Sequence, residues 1–284
     1  MKKTLTGATG VAGVMGYPVA HSLSPRLHGY WLRRYEIDGT YIPLPVRPKD
    51  FSKALAAIPA LGLLGVNVTV PYKEAALAAV DTASQEARRI GAVNTVVVGR
   101  DGELNGSNTD GFGFVENLKS GYPGWTAGHG AVVVLGGGGA ARAVCAALID
   151  SGVPEIRLIN RTRSRAETLT SDLGGPVETI PWELRDEALD GAALLVNTTT
   201  LGMTGNPPLE LDLAALPSEA VVTDIVYNPL ETELLRQAKL RGNPVVDGLG
   251  MLLHQARPGF AAWFGLEPEV TPELRAFVLG GLSG

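Results

Sequence analysis

The chain has a single cysteine, Cys145, and four histidines in 284 residues. One thiol can form neither an internal disulfide nor a multi-cysteine zinc site, and it suits a reducing compartment, so a cytoplasmic protein is expected. His21, His28, His129 and His254 stand at no metal-ligand spacing, and no metal is expected. No apolar run approaches the ~20 residues that a membrane-spanning helix needs. Lys2 and Lys3 precede residues 4–13, which are too polar and glycine-rich for the apolar core of a signal peptide, and residues 1–10 read as a loose tail. Excess positive charge is missing as well: a net charge of −5 gives no general attraction to nucleic acid or to an anionic membrane. Neither nucleic acid nor a membrane is expected as a partner.

What is present is 45% hydrophobic residues with 36 glycines and 19 prolines, a globular composition rich in tight turns and long enough for two domains. The central stretch is Gly65-Val66-Asn67-Val68-Thr69-Val70-Pro71-Tyr72-Lys73-Glu74. Its alternation predicts a strand over 66–70 with one apolar and one polar face. Pro71 ends the strand and can open a helix, with Lys73 in the first turn. The helix dipole disfavours a cation there, so Lys73 stands out from an ordinary surface lysine.

Before this stretch, residues 11–15 predict a strand ending at Gly16-Tyr17-Pro18. Ser24-Pro25 then predicts a helix start, with Ser24 as cap and Ser22 left to contact a ligand at a helix N-terminus suited to anions. Residues 41–46 read as an edge strand broken by Pro43 and Pro45, and 49–58 as a helix. After Lys73 come helices to 80 and over 83–90. A hairpin follows, with strands 92–99 and 103–107 joined by the two-residue turn Asp101-Gly102. Asn108-Thr109-Asp110-Gly111 opens another helix, which Thr109 or Asp110 could cap.

Composition changes over 120–130, which read as a linker. Ala131-Val132-Val133-Val134-Leu135 is a fully apolar run, as expected of a parallel strand buried on both faces. Gly136-Gly137-Gly138-Gly139-Ala140-Ala141 follows, with Gly136, Gly138 and Ala141 in the slots of a GxGxxA dinucleotide-binding turn, and a helix runs to 150. The next strand, 156–159, ends at Asn160-Arg161-Thr162-Arg163-Ser164-Arg165. An enzyme using NAD usually places an acidic residue here. Three guanidiniums instead suit the extra phosphate of NADP. Strands at 193–197, 221–226 and 245–246 alternate with helices such as 231–240, which is the doubly wound pattern. Helices over 249–264 and 272–279 follow the last strand and can return to the first domain.

Taken together, these motifs resemble the shikimate dehydrogenase family. The resemblance runs from about residue 14 to 267 and rests on His21-Ser22-Leu23-Ser24-Pro25, residues 67–73, Gly91-Ala92-Val93-Asn94-Thr95, Asn108-Thr109-Asp110-Gly111, the glycine loop, Asn160-Arg161-Thr162 and Asp247-Gly248-Leu249-Gly250-Met251. It implies an α/β fold of two domains: a substrate domain of residues 11–109 plus 250–284, and a Rossmann-type NADP domain of residues 110–249. It implies reduction of 3-dehydroshikimate to shikimate with NADPH, by a monomer or homodimer. Ser22 and Ser24 would bind the substrate carboxylate; Asn67, Thr69, Lys73, Asn94, Asp110 and Gln255 would surround the ring hydroxyls, with Lys73 and Asp110 catalytic; and Tyr227 would close over the substrate. Gly136, Gly137, Gly138, Gly139 and Ala140 would hold the pyrophosphate, Asn160, Arg161, Thr162 and Arg165 the adenosine phosphate, and Ile225, Gly248 and Met251 the nicotinamide side. Gly137, Glu233 and Gln85 depart from the family's usual residues. A quinate/shikimate enzyme using NAD is disfavoured by the basic turn. No Tyr-x-x-x-Lys spacing or cysteine cluster supports other dehydrogenase classes, and a non-catalytic NADP sensor would not need both Lys73 and Asp110.

Overall fold

The computed structural model describes residues 5–281, and the chain divides into two compact units, Met1–Thr109 with Gln255–Gly284, and Asp110–His254. Residues 1–4 of the expected tail, and the last three residues of the expected substrate domain, lie outside the described residues. The rest of that tail is tied down: the Thr6 and Thr9 hydroxyls donate to the two carboxylate oxygens of Asp38, each at 2.8 Å.

In the first unit, strand β1 (Gly10–Gly16) leads into helix α1 (Ser24–Arg34), β2 (Gly39–Pro45) and α2 (Phe51–Ala57). Then come β3 (Leu63–Val68), α3 (Lys73–Ala79), the short β4 (Thr82–Ala83), α4 (Gln85–Ile90), β5 (Thr95–Val98) and β6 (Leu104–Ser107). The six strands lie in the order β2-β1-β3-β5-β6-β4. β2 and β3 flank β1 in parallel, and β5 pairs antiparallel with both β3 and β6. β3 is therefore a central strand, and its residues from Gly65 to Val68 are buried. The expected strand is cut short at its far end. It stops at Val68, Val70 is 70% exposed, and the Val70–Pro71 peptide is cis. Pro71 does not open the next helix, because Tyr72 occupies the capping position and Lys73 is the first residue of α3.

Three other expectations change locally. Thr82 and Ala83 pair with β6, so the helix expected over 83–90 starts at Gln85, capped by the Ser84 hydroxyl. In the hairpin, Gly99 donates to the Glu103 carbonyl at 2.8 Å, which makes the turn Arg100-Asp101-Gly102, three residues rather than two. Ser24 lies inside α1, and Leu23 is at the capping position with no side-chain cap.

The second unit opens with α5 (Asp110–Gly121), and residues 120–130 lie within it, joining α5 to β7 (Ala131–Leu135) rather than separating the units. Next are α6 (Gly139–Asp150), β8 (Ile156–Ile159), α7 (Arg163–Leu173), β9 (Val177–Ile180), β10 (Ala192–Asn197), β11 (Val221–Asp224), α8 (Glu233–Arg241) and β12 (Val245–Val246). The order β12-β11-β10-β7-β8-β9, with every pairing parallel, is the doubly wound nucleotide-binding arrangement. The apolar run of β7 is explained by its position: Val132 and Val134 pack into the core on one face, Val133 and Leu135 into the core on the other.

Helix α9 (Leu249–Phe264) begins in the second unit and ends in the first, and α10 (Pro272–Leu279) belongs to the first. The return expected from the sequence is made by specific bonds: the Trp263 indole donates to the Val96 carbonyl at 3.1 Å, the Trp31 indole to that of Glu269 at 2.9 Å, and the Arg26 guanidinium to that of Phe277 at 2.6 Å. Phe260 is fully buried against Trp31 and Phe264. Truncating such a ring costs about 3–5 kcal/mol, so these helices hold the first unit together. Among the described residues, no helix is long and apolar enough to cross a membrane.

Candidate active site

In the first unit the end of β3 carries a buried polar network. Asn67, Asn94, Thr95 and Thr109 are all buried. Asn67 donates through Nδ2 to the Asn94 carbonyl at 3.2 Å and to Thr95 Oγ1 at 3.1 Å. Thr95 Oγ1 donates to Asn94 Oδ1 at 2.9 Å, and Asn94 Oδ1 also accepts the Thr109 N–H at 3.0 Å. Asn94 Nδ2 donates to Thr109 Oγ1 at 3.1 Å. Buried amides and hydroxyls are costly unless they are paired. Here they pair with one another, which fixes their positions.

Lys73 is held at the edge of this network. Its carbonyl accepts the N–H of Val93, the neighbour of Asn94, at 2.9 Å, and its half-buried side chain leaves from the first turn of α3. Thr69 sits where the chain leaves β3, its N–H bonded to the Met15 carbonyl at 3.0 Å. Asn67, Thr69, Lys73 and Asn94 are thus gathered by β3 and the start of β5. Ser24 does not cap the helix as expected. The Ser22 hydroxyl accepts the Ser24 N–H at 3.3 Å and so serves the helix start, while Ser24 is buried in the first turn. Gln255 is half-buried on α9, at the point where the chain re-enters this unit.

Beside the network lies an aromatic wall. His28 is fully buried and stacks on Tyr41 with ring centres 4.0 Å apart and planes 6° from parallel. Burial lowers its pKa to about 3, against an opposing pull from Asn67, so the ring is neutral.

In the second unit the glycine loop leaves β7 and enters α6. Gly136 has φ +122°, and a side-chain carbon there would collide with the Thr198 hydroxyl. Gly138 and Gly139 have nothing within 4 Å of where a Cβ would stand. The result is an open cradle at the N-terminus of a twelve-residue helix, the geometry that receives a pyrophosphate on backbone N–H groups. A Cβ on Gly137 would press on Asn160 at 2.9 Å, so alanine at this position would crowd the next loop.

Beyond β8, Asn160 ties off the turn by donating to the Thr162 carbonyl at 2.8 Å. Thr162 stands at the capping position of α7 without a side-chain bond to the helix. Arg163 pairs with Glu167 at 2.8 Å, which withdraws it from the three guanidiniums expected to serve the phosphate. Arg161 and Arg165 are exposed, and among the described residues their side chains have no hydrogen-bond or ion-pair partner. A nucleotide phosphate fits this turn.

The residues expected on the nicotinamide side also come together. A Cβ on Gly248 would collide with the backbone of Ile225 and Val226, so only glycine allows these segments to meet. Ile225 and Met251 pack against the same core. Tyr227 follows them, half-buried, its phenol pKa raised by burial. Asp110, buried, is the first residue of α5.

Three residues of this scaffold have no motif to announce them. Asn117 donates to the Asp247 carbonyl at 2.7 Å and stands where any side chain on Gly250 would fall. Asp224 accepts from Asn197 Nδ2 at 3.1 Å and from the Val226 N–H at 2.9 Å, anchoring the loop that carries Ile225 and Tyr227. A carboxylate closing the apolar run Val221-Val222-Thr223-Asp224 was its available signal. Tyr41 completes the set.

Two units of this kind, a Rossmann-type nucleotide domain and a mixed-sheet domain bearing a polar network, define a dinucleotide-dependent dehydrogenase of two domains. The family described as shikimate dehydrogenase substrate binding domain matches residues 14–96, and the one described as shikimate / quinate 5-dehydrogenase matches residues 126–202. A protein of Paramagnetospirillum magneticum named shikimate dehydrogenase (NADP(+)) is 61% identical over 97% of this chain and 100% of its own length. The crystal structure of shikimate 5-dehydrogenase from Thermus thermophilus in complex with NADP(H) and shikimate is 39% identical, with a TM-score of 0.84 over 97% of this chain and 99% of that one. Quinate dehydrogenase from Corynebacterium glutamicum in complex with NAD is 32% identical, with a TM-score of 0.88 over 96% and 99% of the two chains. The chain belongs to the shikimate dehydrogenase family.

Proposed function

We propose that this protein catalyses the reversible NADPH-dependent reduction of 3-dehydroshikimate to shikimate, in the route to chorismate and the aromatic amino acids. The observation that carries the reading is the paired network of Asn67, Thr95, Asn94 and Thr109, to which the backbone of Lys73 is tied through Val93. Such an array of fixed amides and hydroxyls suits a ring bearing several hydroxyl groups. Its last member, Thr109, is followed directly by Asp110.

The cofactor supplies a hydride to the carbonyl carbon. Gly136 to Ala140 hold its pyrophosphate, and Asn160, Arg161, Thr162 and Arg165 its adenosine phosphate. Ile225, Gly248 and Met251 line the nicotinamide side. As hydride arrives, negative charge develops on the carbonyl oxygen, and the Lys73 ammonium delivers a proton there; in the reverse direction the amine takes it back. Asp110 accepts a hydrogen bond from a substrate hydroxyl and holds the ring in register. Ser22 and Ser24 bind the substrate carboxylate, and Ser22 still has its hydroxyl proton to donate while accepting from the Ser24 N–H. Asn67, Thr69, Asn94 and Gln255 bind the hydroxyls, and Tyr227 covers the ring.

NADP over NAD follows from Arg161 and Arg165. The test is the absorbance of NADPH formed with shikimate, then with quinate, each repeated with NAD. Turnover with NAD equal to that with NADP would refute the cofactor assignment, and a preference for quinate would refute the substrate.

A further inference from the structure

Asn67 has little hydrogen-bonding capacity left over. A primary amide has two N–H donors and an oxygen with two lone pairs. Both Nδ2 donors are committed, one to the Asn94 carbonyl and one to Thr95 Oγ1. Oδ1 accepts from the Tyr41 hydroxyl at 2.7 Å, with both residues 6% exposed. One lone pair on Oδ1, within reach of the buried His28 ring, is all that Asn67 retains for a ligand. A substrate hydroxyl must therefore donate to it.

The amide could turn over, exchanging O and N, if nothing opposed the flip. Asn94 O and Thr95 Oγ1 favour the nitrogen on their side, but Thr95 Oγ1 is a hydroxyl and could also donate. The Asn94 carbonyl can only accept, so it keeps the nitrogen on its side, and the Tyr41 hydroxyl then donates to Oδ1 and ties down the other side of the amide. Burial pushes the Tyr41 phenol well above the ordinary range, so it stays protonated, and Ser24 is its other polar neighbour. The ring is pinned by stacking on His28 and by Trp263, 6.0 Å away between centres. Tyr41 reaches Asn67 from two strands away: it pairs with the small Ala12 of β1, itself opposite Gly65 of β3, where the Trp263 indole fills the space a side chain would take. Its hydroxyl starts a run of bonds polarised in one direction, from Tyr41 to Asn67 to Thr95 to Asn94.

We propose that Tyr41 is a positioning residue: its hydroxyl locks the Asn67 amide with the oxygen as the only group offered to substrate, so that Asn67 recognises a hydroxyl donor on the ring. The proposal rests on the reading of Asn67 as a substrate contact.

Tyr41→Phe tests it, because the stacked ring is kept and only the hydroxyl is lost. The variant should raise the KM for shikimate about tenfold, the worth of one buried hydrogen bond, with the Kd for NADP unchanged. The side-chain ¹⁵N amide resonances of Asn67 should shift or broaden. In an Asn67→Ala background, Tyr41→Phe should change KM by less than about twofold, since the two act as one unit. An unchanged KM, unmoved Asn67 amide resonances, or an effect of Tyr41→Phe that persists in full without Asn67 would each overturn the proposal. Wild-type kinetics in Asn67→Ala alone would refute the substrate reading instead, taking the recognition half of the proposal with it, while the resonances would still decide whether Tyr41 orients the amide.

Discussion

The Thr232 hydroxyl donates to the Asp224 carboxylate at 2.7 Å, and neither residue is more than 1% exposed. The same hydroxyl accepts the Leu235 N–H at the start of α8, so one side chain both caps a helix and satisfies a buried acid. Burial raises the Asp224 pKa, and the bonds from Val226, Thr232 and Asn197 oppose the rise. Thr232→Val keeps the shape and removes both bonds. A hydrogen bond to a charged group and a helix cap together predict a loss of about 2–4 kcal/mol in urea unfolding. A loss below about 0.5 kcal/mol would show that Asp224 finds other partners.

His28 predicts an acid limb in stability. Its pKa is lowered to about 3 from 6.5, so the folded state refuses a proton that the unfolded chain accepts. Stability is complete above the unfolded value and is lost as pH falls from 6.5 toward 3. By pH 5 the linkage amounts to about 2 kcal/mol. Glu233, whose pKa is lowered to about 2 by Arg236 and Gln237, acts in the same direction at lower pH, so the comparison is made against His28→Phe. The variant should show a flatter loss between about pH 7 and pH 5 in denaturant melts. Equal slopes would mean that His28 does not govern this limb.

For the catalytic assignment, Lys73→Met should lower turnover by about 10²–10⁴ while leaving NADP affinity nearly intact. Asp110→Asn should behave similarly, and the double variant should be little worse than either. Lys73→Met retaining more than about a tenth of turnover would remove Lys73 from proton transfer.

At the phosphate end, Arg161→Ala should weaken NADP binding by about one to two orders of magnitude and hardly affect NAD, as expected for a lost charge-assisted bond. Titration by fluorescence or calorimetry with both nucleotides separates the cases. An equal loss for both would place Arg161 away from the extra phosphate.

The nucleotide unit was legible because its physics is local. A parallel strand buried on both faces must be apolar throughout, and β7 is; a backbone that approaches a phosphate must lack side chains, and residues 136–139 do. The substrate unit was less so. Alternation suggested that Val70 belongs to β3, but the strand ends at Val68 and Val70 stands in solvent. Ser24-Pro25 looked like a cap followed by the first helical residue, yet the helix starts one residue earlier and Ser22 takes the bond. Tyr41 was unreadable, since its partner Asn67 is 26 residues away on a strand that is not its neighbour. Long-range pairing of single polar atoms leaves no period in a sequence.

Pro43 and Pro45 say something about how this protein behaves in company. β2 is a rim of its sheet, and Val46, continuing it, turns its N–H inward to the Gly16 carbonyl. Alternation along the strand then points the nitrogens of residues 43 and 45 outward, where proline has no hydrogen to give. A strand from another molecule would meet carbonyls without the matching donors. The opposite rim, β4, is two residues long. Both borders of the sheet are therefore poor templates for strand addition, and a second copy would have to be recognised through side chains rather than through an extended ladder.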